Sequence, residues 1–295
     1  MRFVVAGGAG FLGSALVSQL QRDGHDVHVL TRGRAQPGAV VWSPNGSVGP
    51  WADVIDDADV VVNLAGESIA DGRWTSARKA RILQSRIDAT RSLVGAISAV
   101  ARKPSVFLSG SAVGFYGPHD NATLDESSPP GADFLATVCV EWEKEAQRAA
   151  HVTRVVLLRT GLVLHTSGGA LPQIARPFKL FAGGPVGSGR QYWSWIHRDD
   201  WVGLAIRAAR DSGVSGPLNL TAPAPVTNRE FAATLGRVLG RPSFMPAPAF
   251  ALRLLLGEMA DALLLTGQRV VPSKARAAGF DFTYSTLEPA LRALY

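Results

Sequence analysis

Arg2-Phe3-Val4-Val5-Ala6-Gly7-Gly8-Ala9-Gly10-Phe11-Leu12-Gly13, followed by Ser14-Ala15-Leu16-Val17-Ser18-Gln19-Leu20, decides the fold. The short apolar run reads as a buried strand, and the second segment carries helical periodicity. Between them Gly7, Gly10 and Gly13 recur at every third residue. Strand, spaced glycines and helix together make the dinucleotide-binding fingerprint in its extended spacing. Gly7 permits the tight turn off the strand, Gly10 lets the backbone approach a pyrophosphate, and Gly13 lets helix and strand pack closely. The free N–H groups of the helix start then face an anion.

Outward from this unit, strand and helix patterns alternate. Residues 25–30, 59–64, 105–109 and 154–158 read as strands, and 75–100 and 134–150 as helices; 51–57 is a short acidic loop or helix. Repeated βα units predict an α/β fold of Rossmann type, a doubly wound parallel sheet with a small C-terminal substrate lobe. The dinucleotide-binding core is expected over 1–160, with 190–213 returning to it. From about residue 161 the texture changes to glycine pairs and prolines, which predicts a substrate-side lobe over 161–295 with a helical C-terminal segment over 241–295. Asp199-Asp200 ahead of the apolar stretch 201–209 reads as a helix start with an acidic cap. Residues 250–265 carry Arg253, Glu258 and Asp261, so they read as an amphipathic helix and not a membrane span.

Composition narrows the function. The chain has 295 residues, 46% apolar and 18% charged, which fits a globular enzyme. Its net charge is +6, but the arginines are scattered and only five lysines occur, so an anionic small molecule is expected and not nucleic acid. One cysteine, Cys139, excludes an internal disulfide and a cysteine-rich metal site and fits a reducing compartment. The six histidines show no ligand spacing, so no metal is expected. The glycine-rich start lacks a signal-peptide cleavage site. A cytoplasmic protein with no membrane partner is the expectation.

At the end of the second strand, where an acidic residue would hold a ribose 2′-hydroxyl, stand Thr31 and Arg32, with Arg34 close by. A guanidinium there suits a 2′-phosphate, so NADP is expected.

Several stretches together resemble the extended short-chain dehydrogenases/reductases of the nucleotide-sugar epimerase-like group. Asn63-Leu64-Ala65-Gly66 is similar to that group's cofactor-walling strand end. Ser109-Gly110-Ser111-Ala112-Val113-Gly114-Phe115-Tyr116-Gly117 and Trp195-Ile196-His197-Arg198-Asp199-Asp200 resemble two further segments. Glu67-Ser68-Ile69, Arg73-Trp74, Ser85-Arg86, Gly183-Gly184-Pro185 and 267–272 extend the resemblance along the whole chain. They point to the atypical "epimerase family" subgroup. The resemblance implies an NADP site touched by Gly7, Gly10, Phe11, Leu12, Gly13, Thr31, Arg32, Leu64, Ala65, Gly66, Arg86 and Val138.

The departure concerns the proton relay. The wider superfamily uses Tyr-x-x-x-Lys, and none of Tyr116, Tyr192, Tyr284 or Tyr295 has a lysine four residues on. Aligned on Glu143, the tyrosine place falls on Leu135 and the lysine place on Cys139, one helix face made apolar. Ser111 matches the superfamily's catalytic serine position, and Tyr116 is the substitute proton donor or else an aromatic wall. Glu67 is a candidate base or a loop cap; Arg78 and Lys79 read as a solvated helix face. Cys139 reads as a packed residue more than a nucleophile, and His197 as a structural histidine more than an acid/base. The functional expectation is an NADP-binding oxidoreductase or epimerase acting on an unidentified carbonyl, alcohol or nucleotide-sugar-like small molecule. The alternative is a non-catalytic NADPH-sensing module. A homodimer is expected by analogy only.

Overall fold

The computed structural model describes residues 1–34 and 37–295. Seven strands form one parallel sheet: β1 (Arg2–Ala6), β2 (Asp26–Thr31), β3 (Ala39–Val41), β4 (Val60–Asn63), β5 (Val106–Ala112), β6 (Arg154–Thr160) and β7 (Gly216–Leu220). Their order across the sheet is β7-β6-β5-β4-β1-β2-β3. The chain runs outward from β1 on one side and then from β4 on the other. The switch point lies between β1 and β4, where doubly wound sheets bind ligands beyond their strand ends. The register places Ala6 opposite both Leu30 and Asn63, so the ends of β1, β2 and β4 share one edge.

β4 is buried along its whole length because helices cover both faces of the sheet. On one side α1 (Phe11–Arg22) and α5 (Arg198–Arg210) pack Leu16, Leu20, Trp201 and Leu204 against Phe3, Val5 and Val62. On the other, α2 (Ser76–Ala99) and α3 (Phe134–Gln147) bury Leu93, Ile97 and Ala146 with Val4, Val61 and Phe107. A separate apolar centre gathers Phe178, Trp195, Phe231 and Leu291 from α4 (Leu171–Lys179), a short strand (Trp195–His197), α6 (Asn228–Leu239) and the chain end.

Three expectations change. β7 was not legible, because Gly216 and Pro217 interrupt an apolar run of only Leu218 and Leu220. The cap of α5 is His197, whose Nδ1 accepts from Asp199 N at 3.2 Å. The buried Asp200 carboxylate instead accepts from Thr283 N and Tyr284 N, both at 2.9 Å, and pins the C-terminal segment. The single helix expected over 250–265 is broken. α7 (Ala249–Leu256) ends at Gly257, whose φ of +63° reverses the chain. A short turn of helix (Glu258–Ala260) and a wider turn (Asp261–Leu265) follow.

Candidate functional site

β1 delivers the chain into a turn that only glycine can make. Gly7 has φ +79°, and a Cβ on it would meet the Leu64 carbonyl carbon at 2.6 Å. A Cβ on Gly13 would lie 2.1 Å from Gly7 O, so helix and turn touch backbone to backbone. Gly10 stands exposed and is the N-cap of α1 with no side-chain cap, and the first turn holds no acid. The amides at this helix start keep their capacity for an anion. Phe11 and Leu12 open the helix, half-buried. The Phe11 ring packs under Gly168 and Gly169, where a Cβ would stand 2.8 and 2.9 Å from it. The sequence marked this glycine pair only as a loop, yet it forms one wall beside the glycine turn.

The β4 end is held by side-chain bonds. Buried Asn63 donates to Thr90 Oγ1 at 2.9 Å and accepts from Ala65 N at 3.1 Å, which fixes the turn carrying Leu64, Ala65 and Gly66. Arg86 lies 5.1 Å from the Trp142 ring centroid and donates to Glu67 O at 3.0 Å and Ile82 O at 2.9 Å. Among the described residues it forms no ion pair. Burial pulls its pKa down, with Cys139 and Glu67 opposing. A half-buried cation bonded to carbonyls alone is suited to receive an anion. Thr31 and Arg32 stand at the end of β2; Thr31 Oγ1 accepts from Gly33 N at 3.0 Å and Arg32 is exposed.

Glu67 does not stand free. It accepts from Arg78 Nη1 at 2.5 Å and Arg81 Nε at 3.3 Å, so Arg78 is an ion-pair partner and not a solvated residue. Lys79 is likewise engaged, with Glu258 Oε2 at 2.8 Å.

The β5 end holds the candidate catalytic residues, and here the sequence reading missed most of the chemistry. Ser111 Oγ donates to Glu143 Oε1 at 2.6 Å. Arg159 clamps the same carboxylate through Nε and Nη2, each at 2.8 Å. Its third contact donates from Nη1 to the Tyr116 hydroxyl at 3.1 Å, and that hydroxyl donates to Asn219 Oδ1 at 2.7 Å. The Arg159 guanidinium also stacks 3.4 Å from the Phe115 ring centroid. All five residues of this chain of bonds are buried. Burial alone would lower the pKa of Arg159, but the bonds and charge of Glu143 outweigh it and the net direction is up. Burial raises the pKa of Tyr116, against the pull of Arg159. Tyr116, read from the sequence as a proton donor or else an aromatic wall, is fully buried with its hydroxyl bonded to Arg159 and Asn219.

Leu135, Val138 and Cys139 do line one face of α3. Val138 is buried with Trp74, Ile82 and Met259, and Leu135 packs on that group. A Cβ on Gly114 would meet Leu135 Cβ at 3.3 Å, so the face abuts the turn after β5. Burial, then the charge of Glu143, pushes the Cys139 thiol up to about 12. Among the described residues no group of three His, Cys, Asp or Glu side chains could hold a metal.

A doubly wound sheet with this glycine turn at its switch point defines a dinucleotide-binding protein of the Rossmann class. Residues 3–220 match the NAD dependent epimerase/dehydratase family, and 247–294 match a domain of unknown function, DUF1731. The chain belongs to the NAD dependent epimerase/dehydratase family. It is 42% identical over 306 residues to the chloroplastic epimerase family protein SDR39U1 homolog of Arabidopsis thaliana, covering 100% of this chain and 86% of that one. It is 40% identical to mouse epimerase family protein SDR39U1, covering 99% of each. The crystal structure of human epimerase family protein SDR39U1 with NADPH superposes with a TM-score of 0.93 at 36% identity, over 100% of this chain and 99% of that one.

Proposed function

We propose that this protein binds NADP and catalyses oxidation and reduction at a carbonyl/alcohol carbon of a small molecule without the Tyr-x-x-x-Lys pair. The observation that carries this reading is the uncapped start of α1, laid backbone to backbone on the Gly7 turn. The human relative crystallised with NADPH supports the same cofactor.

In this reading Gly7, Gly10, Phe11, Leu12 and Gly13 hold the pyrophosphate, and Thr31 with Arg32 receive the 2′-phosphate. Leu64, Ala65 and Gly66 wall the cofactor, Arg86 supplies a fixed cation, and Val138 closes the apolar side. The nicotinamide supplies hydride chemistry when bound. Ser111 is the residue left to meet substrate. Its proton is committed to Glu143, so Ser111 offers lone pairs only and accepts from a substrate hydroxyl. That arrangement favours the alcohol form at the site.

The test is a panel of alcohols and nucleotide sugars with NADP, and of carbonyl compounds with NADPH, followed by nicotinamide absorbance. Turnover that falls about tenfold or more in Ser111→Ala supports the reading. Turnover unchanged by that substitution contradicts the role of Ser111. Tight NADPH binding with no turnover across the panel would favour the NADPH-sensing alternative.

A further inference from the structure

Seven large apolar side chains stand exposed on two neighbouring segments of the C-terminal lobe. Leu180 and Phe181 follow α4, and Phe181 holds a left-handed φ of +60° that a bulky residue rarely adopts. Phe244 and Met245 lie alongside, because Met245 N donates to Gly183 O at 3.0 Å. The Arg241 guanidinium sits 4.6 Å from the Phe181 ring centroid and joins the two segments. α7 then adds Phe250, Leu254 and Leu255. Phe244, Phe250 and Leu254 are 76%, 75% and 76% exposed.

α7 is held only along one edge, where Leu256 packs toward Trp74, Ile82 and Met259 and Arg73 Nη2 donates to Leu254 O at 3.3 Å. Gly257 turns the chain, after which Met259 and Ala260 are buried, whereas α7 itself buries no residue. Scattered exposed apolar residues are ordinary, but a group of this kind marks an interaction surface.

Charge identifies the partner. Residues 161–198 and 231–257 contain no aspartate or glutamate. Arg176 and Lys179 lie in the last turn of α4 just before Leu180, Arg241 stacks on Phe181, and Arg253 lies on α7. Among the described residues, Arg253 pairs with Asp261 at 2.8 Å and the other three form no ion pair. Exposed Phe and Leu tips, with unpaired cations beside Leu180 and Phe181 and with Asp261 already paired to Arg253, match the headgroup and acyl layers of an anionic bilayer. A second copy of the same surface would instead bring like charges together.

We infer that this face docks reversibly on an anionic membrane surface. The docking is peripheral, since no described helix is long and apolar enough to cross a membrane. It amends the sequence expectation of no membrane partner and does not depend on the proposed catalytic role.

The experiment is flotation of the full chain with vesicles of equimolar phosphatidylcholine and phosphatidylglycerol, and with vesicles of phosphatidylcholine alone. Binding to the anionic vesicles is expected to be at least about tenfold stronger and to weaken in high salt. Phe250→Ser with Leu254→Ser should lower it by about tenfold or more, with NADPH affinity and melting temperature unchanged. Arg176→Glu with Lys179→Glu should lower it independently through charge. Absence of flotation with anionic vesicles at low salt would overturn the inference. So would sedimentation showing a wild-type dimer that the Phe250→Ser, Leu254→Ser chain no longer forms, because a second copy would then cover the face.

Discussion

Ser111 and Glu143 are joined by a 2.6 Å hydrogen bond in which the serine donates, and the carboxylate is itself gripped by Arg159. The pair fixes the direction of the serine's bonding and ties β5, α3 and β6 into one unit. Through Tyr116 and Asn219 the unit continues to β7. Asn219 Nδ2 donates to Val271 O at 3.0 Å, and Asn219 N donates to Glu126 Oε1 at 3.1 Å, which brings in the C-terminal segment.

The energetic consequence follows from burial. Removing one partner of a buried ion pair leaves an uncompensated charge and costs about 3–5 kcal/mol. Arg159→Met is therefore expected to destabilise by about that amount in denaturant unfolding, and Ser111→Ala by only about 1 kcal/mol. Equal, small losses for both would mean that the network is not closed as described.

The only cysteine in the chain makes a clean probe. With its pKa pushed to about 12 by burial, only roughly one Cys139 in ten thousand is thiolate at about pH 8. Folded protein should resist a thiol reagent for as long as it stays folded, and denatured protein should react fully. Rapid labelling of the folded chain would contradict the packed position of Cys139 among Phe115, Tyr116, Leu124 and Val270.

Stability should also depend on pH through His197. Burial holds its pKa below the ordinary value of 6.5, against the upward pull of Asp199 and Asp200. In the window between the folded value and 6.5 the unfolded chain binds the extra proton, so the stabilisation is present above about 6.5 and is lost as pH falls. The slope from this one group cannot exceed about 1.4 kcal/mol per pH unit. His165 and His25 are lowered too, mainly by burial, and add in the same direction. His197→Asn keeps a capping side chain and should reduce the loss of melting temperature between about pH 7.5 and about pH 5. An unchanged loss in that variant would rule out His197 as its source.

The doubly wound parallel sheet could be read from the chain because β1 and β4 are continuous apolar runs bounded by turn signals, whereas the short β3 and the Gly216-Pro217 start of β7 hid both edge strands. The glycine turn was legible for a stronger reason, since backbone contact between Gly7 and Gly13 tolerates no Cβ. What escaped was long-range pairing. Arg159 follows Val155-Val156-Leu157-Leu158 in a central strand, and such a charge implies a buried partner without naming it. Glu143 lies 16 residues away in sequence, on α3, and nothing local points from one to the other. The break at Gly257 was hidden likewise, because the apolar periodicity runs across it and only the positive φ shows that the two halves part.

The most direct test of the account is calorimetric titration of NADPH and NADH into wild type, Gly13→Ala and Arg32→Ala. NADPH is expected to bind wild type more tightly than NADH. Gly13→Ala should abolish binding, since its methyl would fall 2.1 Å from Gly7 O. Arg32→Ala should weaken NADPH by about tenfold or more while leaving NADH nearly unchanged. Failure of wild type to bind either nucleotide would contradict the central claim.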